Sequence, residues 1–129
     1  MIQSPQTIQV TRDGSSSEAT VAWRYESGSW VVEITSPEFA SVSARESDAF
    51  EALCVIREQL EPLGWRIGVA GAQPDVWPSG MARDQGGGLS AYRFAPEGVE
   101  SVVDTFAPVD PATVTTVAEQ RAKIDRLMG

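Results

Sequence analysis

The clearest pattern in the chain is the alternation of apolar and polar residues in its first third. Alternation over residues 7–12, 19–25 and 29–35 predicts three strands, because successive side chains of a strand point to opposite faces. Residues 26–29, which read Glu-Ser-Gly-Ser, are typical of a tight hairpin turn. The first third of the chain is therefore expected to form antiparallel strands.

Apolar residues recur at every third or fourth position over residues 47–63, which predicts the first helix. Ser47 can cap its N-terminus, and Gly64 suits the left-handed residue with which many helices end. Cys54 lies beside the apolar stripe, so we expect a buried structural thiol rather than a reactive one. The stripe itself recurs at spacings of three and four, which places its members on one helix face: Phe50, Leu53, Ile56, Leu60 and Leu63.

The second half of the chain predicts three more strands and a terminal helix. The strands are expected at residues 65–70, 89–94 and 99–106, and the Asp-Pro pair at 110–111 predicts the start of the helix. The order is then β-β-β-α-β-β-β-α. We predict an α+β fold in one domain spanning 1–129, with a single antiparallel sheet of about five to six strands and two helices.

Residues 75–88 are predicted to form a long loop between two of these strands. A connection of about 14 residues exceeds the usual length, and such loops are commonly functional. Tryptophan, methionine and arginine, which are enriched at protein interfaces, occur together in it. An alternative is that Trp77 and Met81 fold back as a lid on the sheet edge. We predict a partner-binding surface made by Asp75, Trp77, Ser79, Met81, Arg83 and Asp84.

The three consecutive glycines at residues 86–88 have two interpretations. A phosphate-binding loop places its glycines between a strand and a helix, and a Gly-Lys-Ser/Thr step completes it. Here the glycines precede a predicted strand, and that step does not follow them. We therefore favour a structural role, in which glycine allows positive φ angles or a bulge where the chain re-enters the sheet.

The charge of the chain narrows the kinds of partner it can bind. Ten Lys and Arg residues against 18 Asp and Glu residues give a formal net charge of −8. Nucleic-acid binding normally requires a basic face, so we expect no direct nucleic-acid partner. An acidic surface instead attracts basic proteins, although solubility alone is an alternative explanation of the charge.

The chain contains no histidine, which removes the commonest general base and the commonest transition-metal ligand. A pair of carboxylates could still be assembled in space, but no spacing in the sequence favours one. We therefore expect no enzymatic activity, no cofactor and no metal. No apolar run reaches the roughly 18 to 20 residues of a membrane helix, and the N-terminal residues do not read as a signal peptide. These features predict a cytoplasmic protein without membrane contact.

Several segments also form a recognisable combination. They are residues 49–65, the Pro-Ser-Gly-Met motif at 78–81, the triple glycine at 86–88, Ala91-Tyr92, and residues 104–106 and 117–120. Together they resemble small immunity proteins associated with bacterial polymorphic or contact-dependent toxin systems. The resemblance implies a non-enzymatic protein that neutralises a toxin domain by binding it stoichiometrically in the cytoplasm. The alternative is a small-molecule-binding or regulatory domain, with residues 75–88 as a lid over a pocket.

Overall fold

A series of antiparallel strands builds the first sheet in the computed structural model, which describes residues 2–128. The predicted hairpin is confirmed, because Glu26 pairs with Ser29 at the turn between the second and third strands. The strand order is β4-β3-β2-β1-β5. The strands are β1 (Gln6–Arg12), β2 (Ser15–Glu26), β3 (Ser29–Ser36), β4 (Phe39–Glu46) and β5 (Arg66–Ile67).

A second, smaller antiparallel sheet contains β6 (Val76–Trp77), β7 (Ser90–Ala95) and β8 (Gly98–Asp104), in the order β6-β7-β8. The prediction of a single sheet is therefore wrong. The strand expected at residues 65–70 is only two residues long, since Val69 already pairs with Pro108 instead of β1 and a short 3-10 turn follows at Ala70–Ala72. The chain thus leaves the first sheet before it reaches β6.

Helix α1 (Ala49–Leu60) packs between the two sheets. Its cap is Asp48 rather than Ser47, since Asp48 Oδ1 accepts a hydrogen bond of 2.8 Å from the N–H of Glu51. Leu63, which was expected on the apolar stripe, is 61% exposed because the α-helix has already ended. Gly64 has φ of +93°, so the predicted left-handed residue is confirmed.

The terminal helix α3 (Val117–Met128) starts later than predicted. The Asp-Pro pair at residues 110–111 begins only a 3-10 turn, Pro111–Thr113. Thr116 precedes the helix, and its Oγ1 accepts from the N–H of Glu119 at 3.2 Å. Within residues 2–128, no helix combines the length and apolar character needed to cross a bilayer.

Apolar residues on two sides of α1 explain why this helix holds the fold together. The side that faces the first sheet contributes Leu53 and Ile56 to the main core, which also contains Ile8, Val10, Val21, Val32, Ile34 and Trp65. The other side contributes to a second cluster with the smaller sheet: Phe50, Cys54, Val76, Ala91 and Val117. The helix stabilises both sheets because it buries apolar surface against each of them.

The α+β class and the antiparallel pairing are confirmed, but the element count is not. Within residues 2–128 the structure has three α-helices, because α2 (Gly80–Asp84) lies inside the predicted loop, and it has two strands, β4 and β6, that the sequence did not indicate. Small and polar residues dominate β4, and these have weak strand preferences of their own. The strand forms because it pairs with β3, while Val42 and Ala44 pack on the main core.

A buried arginine joins α1 to α3. The side chain of Arg57 is 1% exposed, and its Nη1 donates to Gln120 Oε1 at 2.6 Å. Its Nη2 donates to the Thr115 carbonyl at 2.7 Å, and its Nε lies 3.3 Å from a Glu61 carboxylate oxygen. Because a buried guanidinium is costly unless its donors are satisfied, these contacts strongly favour one position of α3.

Gln120 extends the same network to the second sheet. Its Nε2 donates to the carbonyls of Gly71, Gln73 and Val76 at 2.8, 3.0 and 2.7 Å. Gln120 is buried together with the apolar residues Val117 and Ile124 of α3, whereas the neighbouring Arg121 is exposed. A pattern of apolar residues cannot identify a buried amide, because glutamine is counted as polar.

We predict that Gln120→Ala lowers the free energy of unfolding by about 2 to 4 kcal/mol, because it removes a hydrogen bond to a buried charge and the amide donor to the carbonyls of Gly71 and Val76. Urea denaturation provides the measurement. The matched control is Gln59→Ala on the exposed side of α1, for which a change of less than about 0.5 kcal/mol is expected. Equal effects of the two substitutions would contradict the role assigned to Gln120.

The buried thiol of Cys54 generates a pH-dependent prediction. Burial raises the pKa of Cys54 from about 9 to about 11. Below pH 9 the thiol is protonated in both states, so it adds no pH dependence. Between pH 9 and 11 only the unfolded chain loses the proton, which favours unfolding by on the order of 2 kcal/mol. Cys54→Ala should therefore lose less stability than the wild type between pH 8 and 11, measured by denaturation at each pH.

Candidate functional site

Residues 75–88 contain the short strand β6 and the short helix α2, so the prediction of a long loop is wrong. Val76 is fully buried, and Val76 and Trp77 pair with Arg93 and Tyr92 of β7. Ser79 then caps α2, since its Oγ accepts from the N–H of Ala82 at 3.0 Å. The segment thus forms a short strand and a short helix that lie against the body of the protein.

The glycines at the end of this segment allow a close backbone approach to α1. Gly87 and Gly88 have φ of +66° and +72°, which confirms the structural interpretation of the triple glycine. The carbonyl of Gly87 accepts from the N–H of Ala49 at 2.7 Å, and that of Gly88 accepts from Thr105 Oγ1 at 2.6 Å. A Cβ at Gly87 would lie 2.5 Å from the ring of Trp30. Only glycine fits this crossing without displacement of its neighbours.

Arg83 holds α2 to the start of α1. Its Nη1 lies 3.2 Å from Asp48 Oδ2, so the carboxylate that caps α1 also receives a charge-assisted hydrogen bond from α2. The guanidinium also lies over the rings of Phe50 and Trp77, with distances of 5.2 and 5.5 Å to the ring centroids. Arg83 is therefore a structural residue of this segment, with its side chain 23% exposed.

Trp77 and Asp75 also make structural contacts. Trp77 packs edge-on against Phe50 at a centroid distance of 5.2 Å, and Arg121 of α3 lies 5.9 Å from its ring. Asp75 Oδ1 accepts from Arg93 Nη1 at 3.0 Å, which ties the start of the segment to β7. The second interpretation of the segment, in which its side chains fold back onto the body, describes Trp77 well.

Met81 and Asp84 are the members of the predicted set that face solvent. The side chain of Met81 is 68% exposed, although an apolar residue gains by burial. Asp84 is exposed on the same helix, and Ser79 is half-buried at its start. The sequence predicted one surface made by six residues. In the structure three of them are packed against the body, one is half-buried, and two are exposed: Asp75, Trp77 and Arg83; Ser79; Met81 and Asp84.

Met81 borders a groove between α2 and the outer face of the second sheet. Val102, which is 64% exposed, lies opposite Tyr92 on adjacent strands and forms the floor with it. The groove has a volume of about 380 Å³ and is mostly apolar. It is lined by Ser79, Met81, Ala82, Gln85, Gly86, Ser90, Ala91, Tyr92 and Val102.

The charged groups around the segment are largely neutralised in pairs. Besides the two pairs described above, Arg121 Nη2 lies 3.8 Å from a carboxylate oxygen of Glu51. In the described part of the chain, no three side chains of the metal-binding types (His, Cys, Asp or Glu) gather into a cluster. The groove therefore offers apolar contact and a few hydroxyl and amide groups, which suits the burial of an apolar side chain.

Sequence reasoning missed Tyr92 and Val102 as surface residues of the candidate site. Both belong to strands that were predicted, and they lie opposite each other in the β7–β8 pairing. Alternation alone places Val102 on one face with Glu100 and Asp104, so the sequence did not indicate an apolar surface there. The position of this surface beside Met81 depends on how α2 packs.

We predict that Gly88→Ala lowers the free energy of unfolding by about 2 to 4 kcal/mol, because an alanine at φ of +72° is strained and its Cβ would lie 2.8 Å from the backbone nitrogen of Phe50. The matched control is Gly80→Ala, whose Cβ meets no described atom within 4 Å. That substitution should be neutral or stabilising by less than about 1 kcal/mol. Chemical denaturation of both variants measures the difference, and equal stabilities would contradict the close approach.

Comparison with known proteins adds no family to this description. No model of a known protein family matches the chain, and none of the curated proteins compared with it matches significantly.

Proposed function

We propose that this protein is a non-enzymatic binding module, specifically an immunity protein that neutralises a cognate toxin by direct binding in the cytoplasm. The observation that carries the proposal is the apolar groove beside α2, with Met81 exposed at its border and Val102 exposed in its floor. Large exposed apolar side chains that lie together mark interaction sites, because a monomer gains nothing by presenting them to water. The sequence resemblance to immunity proteins supports the same function.

Charge supports a basic partner. The net charge of −8 attracts basic proteins over long range and accelerates their association. Near the groove, Asp84 is exposed, whereas the arginine beside it is held by Asp48. A basic toxin domain such as a nuclease would therefore meet an acidic surface with an apolar centre, which is the usual arrangement of a specific interface.

The fixed side-chain packing of residues 75–88 also favours binding. Side chains of Trp77 and Arg83 are already held by contacts with Phe50 and Asp48. A partner therefore meets a surface that does not have to be ordered first, and the entropic cost of association is correspondingly small. These packed residues act as supports for Met81, and the binding contacts are expected from Met81 and its neighbours in the groove.

A second candidate is a small-molecule-binding or regulatory domain. The volume of the groove favours it, since about 380 Å³ falls within the range of about 300 to 1,000 Å³ found for ligand sites. Residues 75–88 would then form one wall of the site rather than a lid, because side chains fill the space beneath them. A thermal-shift screen with small apolar metabolites distinguishes this function from toxin binding.

The test of the first proposal uses the toxin domain encoded by the gene adjacent to that of this protein. We expect a tight 1:1 complex by calorimetry and loss of toxin activity in the mixture. Absence of binding to that product would contradict the proposal.

Within such a complex, we predict that Met81→Asp weakens binding by about tenfold or more, because it places a charge at the apolar centre of the interface. The matched control is Leu63→Asp, which alters another exposed apolar residue that does not line the groove. The control should bind as the wild type does. A complex that is equally sensitive, or equally insensitive, to both substitutions would exclude the groove as the binding surface.

A further inference from the structure

Strand β8 has a free backbone edge. It pairs with β7 on one side and, within residues 2–128, with no strand on the other. The N–H of Thr105 donates to the Leu89 carbonyl, so the backbone groups at alternate positions such as Val103 also face β7. The backbone groups of Val102 therefore point away from the sheet. An edge with such groups is a template for another strand.

Part of the β8 edge lacks the usual protection against strand addition. Lysine and proline commonly block an edge, and β8 contains neither. Its pairing with β7 shifts register between Val99 and Ser101, so the regular part of the edge is residues 101–104. Val99 and Val102 are 54% and 64% exposed, and the strand is mostly exposed along its length. Its outer face continues into the groove beside Met81. An added strand would thus gain both backbone hydrogen bonds and apolar contact.

The charge around this edge indicates which kind of strand can bind there. Residues 94–120 contain no lysine or arginine but five carboxylates, of which Glu97 and Glu100 lie in or next to β8 and Asp104 ends it. A second copy of the chain would bring these same acidic residues together, and like charges on paired strands are destabilising. A segment with lysine or arginine side chains would instead be attracted to them.

We propose that β8 is a strand-addition site for an extended, basic segment of a protein partner. The segment pairs with the free edge through Val102, places an apolar side chain in the groove beside Met81, and directs basic side chains to the carboxylates of Glu97, Glu100 and Asp104. Main-chain pairing supplies affinity in this mode of recognition, and the side chains supply specificity. The inference rests on the proposed protein-binding function and adds the conformation and charge of the bound segment.

The test begins with selection of random twelve-residue peptides, displayed on phage, on the intact protein. We expect enriched peptides to carry net positive charge and to lose about tenfold or more in affinity for Val102→Pro, because proline removes the outward N–H. The β7–β8 pairing is retained, since that N–H does not face β7. Val102→Thr keeps the N–H and a branched side chain, so it should retain most of the affinity. Acidic peptides, no enrichment, or equal affinity for both variants would overturn the proposal.

A second measurement uses the unmodified protein, so it does not depend on how the proline variant folds. When a selected peptide saturates the protein, hydrogen exchange of the Val102 amide should slow by about tenfold or more. Unchanged exchange would overturn strand addition. A dimer of the free protein through β8, detected by ultracentrifugation and abolished by Val102→Pro, would overturn the choice of a basic partner.

The outcomes separate this inference from the proposed function. A toxin complex that Val102→Pro leaves unchanged would retain the toxin-binding function and overturn strand addition. Selected basic peptides that need the Val102 N–H, together with no binding to the adjacent gene's product, would support strand addition and contradict the immunity function.

Discussion

The close crossing of residues 87–88 over the first turn of α1 is the contact on which the arrangement of the two sheets depends. At this point Trp30 of the first sheet, Ala49 of the helix and Thr105, which follows the second sheet, all contact two glycine residues. Hydrogen bonds to both glycine carbonyls fix the crossing, and the lack of side chains makes it sterically possible. A Cβ at Gly87 would lie 2.5 Å from the Trp30 ring, and one at Gly88 would lie 2.7 Å from Asp48 Oδ1, so a side chain here would force these neighbours to shift.

The network of Arg57 and Gln120 serves a corresponding role nearer the other end of α1. It satisfies a buried charge with partners from α3 and from the chain that precedes β6. Both regions support α2. The Arg57–Gln120 network positions the strand before α2, and the glycine crossing positions the turn after it. As a result, Met81 and the groove lie on a supported surface rather than on a mobile loop, which favours binding without a large ordering cost.

The exposed apolar surface and the acidic charge lie close together on the second sheet. The first sheet buries its apolar face against α1, whereas the outer face of β7 and β8 remains open with Tyr92 and Val102 on it. Apolar surface contributes affinity through desolvation, while surrounding carboxylates contribute mainly to the rate and selectivity of association. This combination relates the proposed immunity function to the proposed strand addition at β8.

The sequence by itself determined the elements whose signals are local. The first hairpins and α1 follow from the strong periodicity of apolar residues, and the turn at residues 86–88 follows from three consecutive glycines. The expectation of a basic partner rests on net charge alone. Tertiary structure alone decided the division into two sheets, the strand β4, the burial of Gln120, and the inward packing of Trp77 and Arg83. Each of these depends on partners far away in the chain, which no periodic pattern records. The groove beside Met81 has the same origin, since its walls come from separate elements that meet only when the chain folds.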